Sequence, residues 1–263
     1  MKENLKKEIT VFITYFNKQL NEIEELKTLS VVEDEKVFCH PEIFQQLLYV
    51  SVLDTLARSV KSNQRENKKR FVSFVRRFCQ WQDGERVSLP HLAQFLKKNP
   101  DPAFQELRDW VFKKYKAMPV HNSKFMLISD DPAYKDVERL WPVDKKNNAP
   151  IEKIQLDSLN HFHLLYAHRN TLVHELRAPG YGMNFANMEV PHYHGRSIKG
   201  DEDAVSAKGD EDAVSAELVY PRKFLHHLCQ TALQNLEKYF LTNKLNPYDS
   251  FKFGTYWIQE LNS

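Results

Sequence analysis

The chain has 263 residues, 42% of them hydrophobic and 12% aromatic, which fits an ordinary globular protein with enough material for a core, in one large domain or two small ones. Its formal net charge of +2 is too small to indicate a partner by itself. With only 7 glycines and neither a G-x-G-x-x-G nor a Walker A pattern, the sequence argues against a glycine-rich nucleotide-binding α/β fold and for a helical one.

Helical periods dominate the first half of the chain. Apolar residues recur at steps of three and four from Glu3 to Leu26, and Pro41 has the position of a first-turn proline that opens a second helix to about Lys61. Residues 47–53 of this second helix are apolar nearly all round, so we expect it to be buried. Three further helices are predicted from about Arg65 to Gln80, Pro90 to Lys98 and Pro102 to Lys116.

The second half is less regular. Residues 117–150 contain clusters of Pro, Asn and Asp and are predicted to be a long, mainly irregular connection. A helix without internal Gly or Pro is predicted over residues 156–177, and it ends before Pro179-Gly180. Residues 188–194 and 217–220 can pair as a small hairpin, after which Pro221 opens the last long helix.

The predicted fold class is therefore all-α: one helical bundle over residues 1–263, with an exposed β-hairpin and loop excursion at 181–219 before the last long helix. Within the excursion the nonapeptide at 199–207 is repeated without change at 208–216. The two copies hold six acids and two lysines, a net charge of −4, which leaves +6 on the remainder. Such a repeat is either a solvated loop without a role or an acidic segment that competes with a polyanion for a basic site.

A run of basic residues lies in the first third of the chain, well before the excursion. Between Arg58 and Arg77 the only acid is Glu66, whereas Arg and Lys occur throughout. This run is either an ordinary solvated helix face or a surface that follows a phosphate backbone and binds less tightly as salt rises. In the second interpretation Lys68, Lys69 and Arg70 are candidate substrate-binding residues.

The helix predicted at 156–177 carries two stripes. One is apolar with an arginine in its middle: Leu159, Phe162, Leu165, Tyr166, Arg169, Val173 and Leu176. The other is polar around a small residue: His163, Ala167, Asn170, His174 and Arg177. A buried arginine needs a partner. Either Arg169 pairs with a structural carboxylate and His174 is an ordinary histidine, or the two belong to a functional site.

The segment Arg169-Asn170-x-x-x-His174 resembles the signature of the HEPN superfamily, an Arg-polar-x(3–5)-His pattern on a helix of an all-α domain. The resemblance implies a HEPN-like helical bundle. Members that keep the Arg and the His commonly act as metal-independent endoribonucleases, so the resemblance implies an RNA substrate and no cofactor or metal. It also implies that Arg169, Asn170 and His174 are catalytic.

Within this resemblance each residue type has a role. Histidine titrates near neutral pH, which makes His174 the expected proton carrier between the ribose 2′-OH and the leaving group. The planar guanidinium of Arg169 is expected to stabilise the phosphoryl charge in the transition state, and Asn170 to orient the imidazole or the phosphate. The product would be a 2′,3′-cyclic phosphate. Arg177 and His163, on the same polar stripe, are candidate substrate-binding residues.

Five helical steps place Arg169 and His174 about 140° apart, so one straight helix does not aim both at one point. The resemblance implies a C2 homodimer in which two motif helices meet and form a composite site.

The resemblance also implies that the protein belongs to a toxin or phage-defence system with an antitoxin or regulatory partner. Related toxins carry a Tyr that receives AMP two residues after the His. This chain has Leu176 there, so that mode of neutralisation is not implied.

Two alternatives concern the histidines and the class of function. His192-x-His194 on a strand would project both imidazoles to one side, yet no Cys joins them and no His-Glu-x-x-His occurs, so we expect no structural metal. A non-catalytic HEPN-type module that binds RNA, a nucleotide or a protein partner is the second functional hypothesis. It gains support if Arg169 is salt-bridged to a buried carboxylate.

Cysteine usage and the N-terminal sequence bear on location. Cys39, Cys79 and Cys229 are widely spaced, odd in number and without a C-x-x-C pair, which favours free thiols in a reducing compartment. The sequence begins with a charged amphipathic helix rather than the apolar core of a signal peptide, and no segment approaches 18 uninterrupted apolar residues. We expect a cytoplasmic protein without a membrane-spanning segment.

Overall fold

In the computed structural model the described part of the chain is mostly helical, with a small β-sheet, as predicted. The described residues are 3–26, 41–60, 66–120, 125–142, 154–180, 188–195 and 216–250. Cys39 and all of the tandem repeat except Ala216 lie outside them. Within this part of the chain, no helix has both the length and the apolar character needed to cross a bilayer.

Eight α-helices and three β-strands are present in the described residues. The helices are α1 Glu3–Glu25, α2 Pro41–Val60, α3 Asn67–Phe78, α4 Leu89–Lys98, α5 Gln105–Lys116, α6 Tyr134–Glu138, α7 His161–Glu175 and α8 Arg222–Asn243. The strands are β1 Phe125–Leu127, β2 His192–Gly195 and β3 Ala216–Val219. All predicted helices are found within a few residues of their expected bounds, except that the motif helix, α7, begins five residues late because residues 156–159 form a 3-10 turn.

The strands form one antiparallel sheet in the order β1-β2-β3. Pairing of β2 with β3, in which His192 faces Val219 and His194 faces Glu217, confirms the predicted hairpin pairing. The third strand, β1, and α6 lie inside residues 117–150, so the prediction of a mainly irregular connection there was incomplete. Both elements are shorter than the windows over which hydrophobic periodicity can be recognised.

Contacts along the chain define two compact units. Unit 1 comprises Met1–Trp81, Leu172–Leu176 and Leu225–Ser263, and unit 2 comprises Gln82–Thr171 and Arg177–Phe224. The single helical domain over residues 1–263 stays a prediction.

The core of unit 1 is helical. In α1 the predicted apolar stripe is buried, because residues at steps of three and four share one face of a helix: Ile9, Phe12, Ile13, Phe16, Leu20 and Ile23. Large side chains from α2, α3 and α8 complete the core, among them Tyr49, Phe71 and Phe240. The prediction that α2 is buried all round holds for only part of the helix, since Phe44 is 47% exposed and Leu48 is 38% exposed.

The core of unit 2 includes the sheet. Tyr193 of β2 is fully buried, and Ala216 and Val219 of β3 are nearly so. The prediction of an exposed excursion at 181–219 is therefore wrong for its described strands, which are core elements. At the start of α7 the ring of Phe162 covers Gly84 so closely that a Cβ on that glycine would lie 2.3 Å from the ring. Only glycine at position 84 lets the Phe162 ring come this close, and the contact holds the first turn of α7 in place.

Candidate functional site

The motif residues Arg169, Asn170 and His174 all lie on α7, a helix of 15 residues. His174 is exposed, whereas Arg169 and Asn170 are half-buried. Arg169 donates a hydrogen bond from Nη1 to Oδ1 of Asn170 at 3.0 Å, and its guanidinium carbon lies 6.0 Å from the ring centre of Tyr166. The first two motif residues are thus coupled to each other, and the third is open to solvent.

The buried face of α7 differs from the predicted apolar stripe. Phe162 and Leu165 are buried as expected, but the face continues through His168 and Leu172 instead of reaching Leu176, which is 61% exposed. Leu176 leaves the helical path because its φ is +54°, the left-handed conformation that often ends a helix. Arg169 consequently lies beside the buried face rather than in its middle.

His168 is a core residue. Its side chain is buried, and its ring packs against Tyr220 with centroids 5.4 Å apart. Burial lowers the pKa of His168 from the ordinary 6.5 to about 4, because the charged imidazolium loses its hydration. A ring that stays neutral and enclosed is poorly suited to exchange protons with a substrate.

The exposed side of α7 carries the small and polar residues. Ala167 and His174 are both exposed and seven residues apart, two turns along the same side. Asn170, one turn before His174, shares this side, whereas Arg169 is rotated by about 140° from His174 on a regular helix. Helix geometry therefore puts Asn170 and His174 on one side of α7, and the hydrogen bond from Arg169 to Asn170 links the guanidinium to that side.

The candidate substrate-binding residues on or near α7 differ in exposure. Arg177 is exposed and donates from Nη1 to the carbonyl of Ala178 at 3.4 Å. His163 is half-buried, and its backbone N–H donates to Oδ1 of Asn160 at 3.1 Å. Of these two, Arg177 is the one whose position offers a charge to a polyanion.

The basic residues of α3 are not equivalent. Lys68 and Lys69 are exposed, and the Nζ of Lys69 lies 3.0 Å from the carboxylate of Glu66. Arg70 is only 6% exposed and donates from Nη2 to Oδ1 of Asn67 at 2.8 Å; the same Nη2 lies 3.8 Å from Asp54. A buried guanidinium held in this way does not offer its charge to RNA, so the inclusion of Arg70 among the substrate-binding residues was wrong for this structure.

Unit 2 contains a buried polar network that sequence reasoning missed. Its centre is Asp131, which is 1% exposed. One carboxylate oxygen accepts from the backbone N–H of Leu89 at 2.9 Å, and the other lies 2.7 Å from Nε2 of His161 and 2.5 Å from the hydroxyl of Tyr193. Because hydrogen-bonding partners lie at both carboxylate oxygens, the polar side chain is compensated although it is buried.

The network extends from this centre to two neighbouring side chains. The hydroxyl oxygens of Tyr193 and Ser88 lie 2.8 Å apart, and Oγ of Ser88 is 2.7 Å from Nδ1 of His91. Burial and the charge of Asp131 raise the pKa of Tyr193 well above its usual range, and burial lowers that of His91 to about 4. A Ser, a His and an Asp are thus close together, but Ser88 and Asp131 are enclosed, so the network fixes α4, β2 and α7 within unit 2 rather than meeting a substrate.

Among the described residues, no group of three His, Cys, Asp or Glu side chains is arranged to hold a metal ion. A groove of about 230 Å³ lies between α1 and α8, lined by Ile13, Asn17, Gln230, Leu233, Gln234 and Glu237. Its lining has one carboxylate and no cation, so it is poorly matched to an anionic substrate.

Comparison of the chain with protein-family models, with curated proteins and with solved structures finds no match.

Proposed function

We propose that this protein is a metal-independent endoribonuclease of the HEPN type. The observation that carries the proposal is the arrangement of α7, where an exposed His174 follows Asn170 by one turn and Asn170 is hydrogen-bonded to Arg169. A proton carrier, an amide and a guanidinium are the groups that phosphodiester cleavage by a neighbouring hydroxyl requires. They occur together on one regular helix in the order and spacing of the HEPN pattern.

His174 moves the proton in the proposed reaction. It accepts the proton of a ribose 2′-OH while the 2′-oxygen forms a bond to the adjacent phosphorus, and the bond from phosphorus to the 5′-oxygen breaks. The proton is then delivered to the 5′-oxygen, which leaves as a hydroxyl. The products are a 2′,3′-cyclic phosphate and a 5′-OH end, and no oxidant, metal or cofactor takes part.

Arg169 stabilises the charge that gathers on the phosphoryl oxygens. A guanidinium has five N–H donors in a rigid plane, and the bond from Nη1 to Asn170 sets the orientation of that plane. Asn170 thereby acts as a positioning residue for Arg169. An amide that fixes the guanidinium before the substrate arrives reduces the reorganisation needed in the transition state.

A homodimer completes the proposed site. Arg169 and His174 diverge by about 140° on one helix, so two antiparallel copies of α7 are needed to bring an Arg of one chain to the His of the other. The exposed side of α7 suits close approach, since Ala167 is small and exposed there.

RNA is held through Arg177 and through Lys68 and Lys69 of α3 in this proposal, and Arg70 is left out because it is buried. The setting we propose is a cytoplasmic toxin or phage-defence system, since the resemblance to HEPN ribonucleases implies one. An antitoxin or regulatory partner belongs to the same proposal.

The test is cleavage of a mixed RNA pool in EDTA by the wild type and by Arg169→Ala, His174→Ala and a control, His227→Gln. His227 is an exposed histidine of α8 with no role in the proposal. We expect the wild type and the control to cleave, and each motif variant to lose at least about 100-fold in rate, the scale of one acid–base or oxyanion group. If the wild type cleaves nothing, or all four proteins cleave equally, the proposal is wrong. The non-catalytic binding module then takes its place.

A further inference from the structure

Two histidines of the central strand, His192 and His194, face each other. They are two residues apart on β2, so their side chains project from the same side of the sheet, while Tyr193 between them points into the network around Asp131. Their Nε2 atoms are 3.0 Å apart, and the ring planes are inclined by 77°. Neither the proposed ribonuclease nor the buried network uses this pair.

A backbone carbonyl fixes the proton of His192. Its Nδ1 lies 2.8 Å from the carbonyl oxygen of Val190, which can only accept a hydrogen bond. In the neutral ring Nδ1 therefore carries the hydrogen, and Nε2 presents its lone pair towards His194. Histidine ligands of metal ions commonly show the same arrangement, in which the nitrogen that does not bind the ion donates to a carbonyl or carboxylate.

The pair packs against an aromatic ring on one side. His192 is fully buried, and the ring of Phe125 meets both imidazoles edge to face, with centroids 5.5 Å from His192 and 4.9 Å from His194. His194 is half-buried, so the pair can be reached from its side. Glu217 pairs with His194 across the ladder, so its side chain leaves the same face of the sheet.

The separation of the nitrogens fits two ligands of one ion. Imidazole nitrogens bind late transition metals at about 2.0–2.1 Å, and two nitrogens 3.0 Å apart at that distance subtend about 90° at the ion. That angle belongs to neighbouring positions of a tetragonal site, the geometry that nitrogen ligands give Cu²⁺ and Ni²⁺. We propose that His192 and His194 form a binding site for a divalent late transition-metal ion, with Cu²⁺ bound most tightly and water in the remaining positions.

The site is independent of the proposed ribonuclease, which we expect to act in EDTA. Bound metal would replace the hydrogen bond between the two imidazoles by two coordinate bonds, and the proton that His194 carries on Nε2 would move to its Nδ1. Because the folded chain binds the ion through a preformed pair, added metal should also raise the melting temperature.

The experiment is titration of the full-length protein with Cu²⁺ against a competing chelator, followed by electron paramagnetic resonance to count nitrogen ligands. The proteins are the wild type, His194→Gln and His192→Gln, with His227→Gln as the control. We expect one tight Cu²⁺ per chain with two histidine nitrogens in the wild type and the control. His194→Gln should lower the affinity at least about 100-fold, since losing a ligand costs no less than losing an outer-shell partner.

Because His192 is fully buried, its replacement can unfold the sheet, and His194→Gln is the deciding variant, with circular dichroism to verify that it is folded. A rise in melting temperature with Cu²⁺ in the wild type that is absent in folded His194→Gln supports the site. The site is excluded if tight binding persists in His194→Gln, or if the wild type binds Cu²⁺ no more tightly than that variant does.

Discussion

The guanidinium of Arg169 donates to the side-chain carbonyl of its neighbour Asn170, with Nη1 and Oδ1 3.0 Å apart. Adjacent residues on a helix point about 100° apart, so this bond draws the long arginine side chain around α7 towards the side that bears Asn170 and His174. The hydrogen bond thus moves the guanidinium of Arg169 towards the side of α7 that bears His174, and this partly offsets the angle between the two residues on the helix.

Removing the Asn170 amide should slow cleavage although the guanidinium of Arg169 and the imidazole of His174 are still present. In Asn170→Ala the guanidinium loses the acceptor that orients it, and misplacement of a catalytic group by about 1 Å costs up to about 100-fold in rate. We expect Asn170→Ala to lower kcat more than it raises KM, and Asn170→Asp, which keeps an acceptor at this position, to retain more activity than Asn170→Ala. Steady-state kinetics on RNA measure both. Equal kcat values for the wild type and Asn170→Ala contradict a positioning role.

Mixing two inactive variants should restore activity if the site is shared between chains. A dimer of one Arg169→Ala chain and one His174→Ala chain keeps one composite site with both groups and loses the other. Random pairing of equal amounts should therefore recover about a quarter of the wild-type activity. Co-expression of the two variants with different tags yields the purified mixed dimer, which should show about half of the wild-type activity because one of its two sites is intact. If the mixed dimer is as inactive as each parent, the two groups do not meet across a dimer interface.

Loss of the buried carboxylate in unit 2 should destabilise the protein strongly. Asp131→Ala leaves His161 and the hydroxyl of Tyr193 without the acceptor that lies 2.7 Å and 2.5 Å from them, and breaking such a buried pair costs about 3–5 kcal/mol. The matched control is Asp83→Ala. Asp83 binds Arg86 at 2.8 Å with both side chains about a third exposed, so its loss should cost about 1 kcal/mol or less. Urea unfolding of both variants measures the difference, and similar losses in the two contradict the structural role of the network.

Stability should fall in mild acid because of His168. Its pKa is about 4 in the folded protein and 6.5 in the unfolded chain, so between these pH values the unfolded state binds more protons. The free energy of unfolding therefore rises with pH across this window, and His168 accounts for up to about 3 kcal/mol of the change. We expect a shallower acid decline in His168→Gln than in the wild type, and an unchanged one in the exposed control His227→Gln. If the free energy of unfolding varies with pH in the same way in the wild type and in His168→Gln, the His168 ring is not held neutral by burial.

The salt dependence of RNA binding should become weaker when Lys68 is removed. If Lys68 contacts a phosphate, Lys68→Ala reduces the slope of log affinity against log salt by about 0.7–0.9, the value for one released counterion. Lys18→Ala is the control, since Lys18 lies on α1 and is 3.8 Å from Glu22. Fluorescence anisotropy in a His174→Ala background, where RNA stays intact, measures the slope. The same slope in Lys68→Ala as in the wild type removes α3 from the proposed surface.

The helices could be predicted from sequence because each has a long periodic pattern and local end signals, such as Pro41 at the start of α2. The three residues of β1 could not, since a strand of that length has no measurable alternation. The end of α7 was misjudged for a related reason. Leu176 continues the apolar period in sequence, but its left-handed conformation takes it out of the helix and into solvent.

Within the candidate site, the motif on α7 was visible because its residues are neighbours in sequence. The network around Asp131 was not, because Ser88, Asp131, His161 and Tyr193 come from four segments separated by 30 residues or more, and nothing local marks them as partners. Arg70 shows the same limit, since its burial against Asn67 and Asp54 follows from packing rather than from the basic run.

The most direct test of the central claim is the chemistry of the cleaved ends. A random-sequence RNA pool and the same pool with 2′-O-methyl groups are incubated with the wild type and His174→Ala in EDTA, and the products are mapped for their termini. We predict 2′,3′-cyclic phosphate and 5′-OH ends from the unmodified RNA with the wild type, and no cleavage of the 2′-O-methyl pool, because the attacking hydroxyl is blocked. Cleavage of the methylated pool, or 3′-OH ends, or wild-type rates in His174→Ala would contradict the proposed ribonuclease.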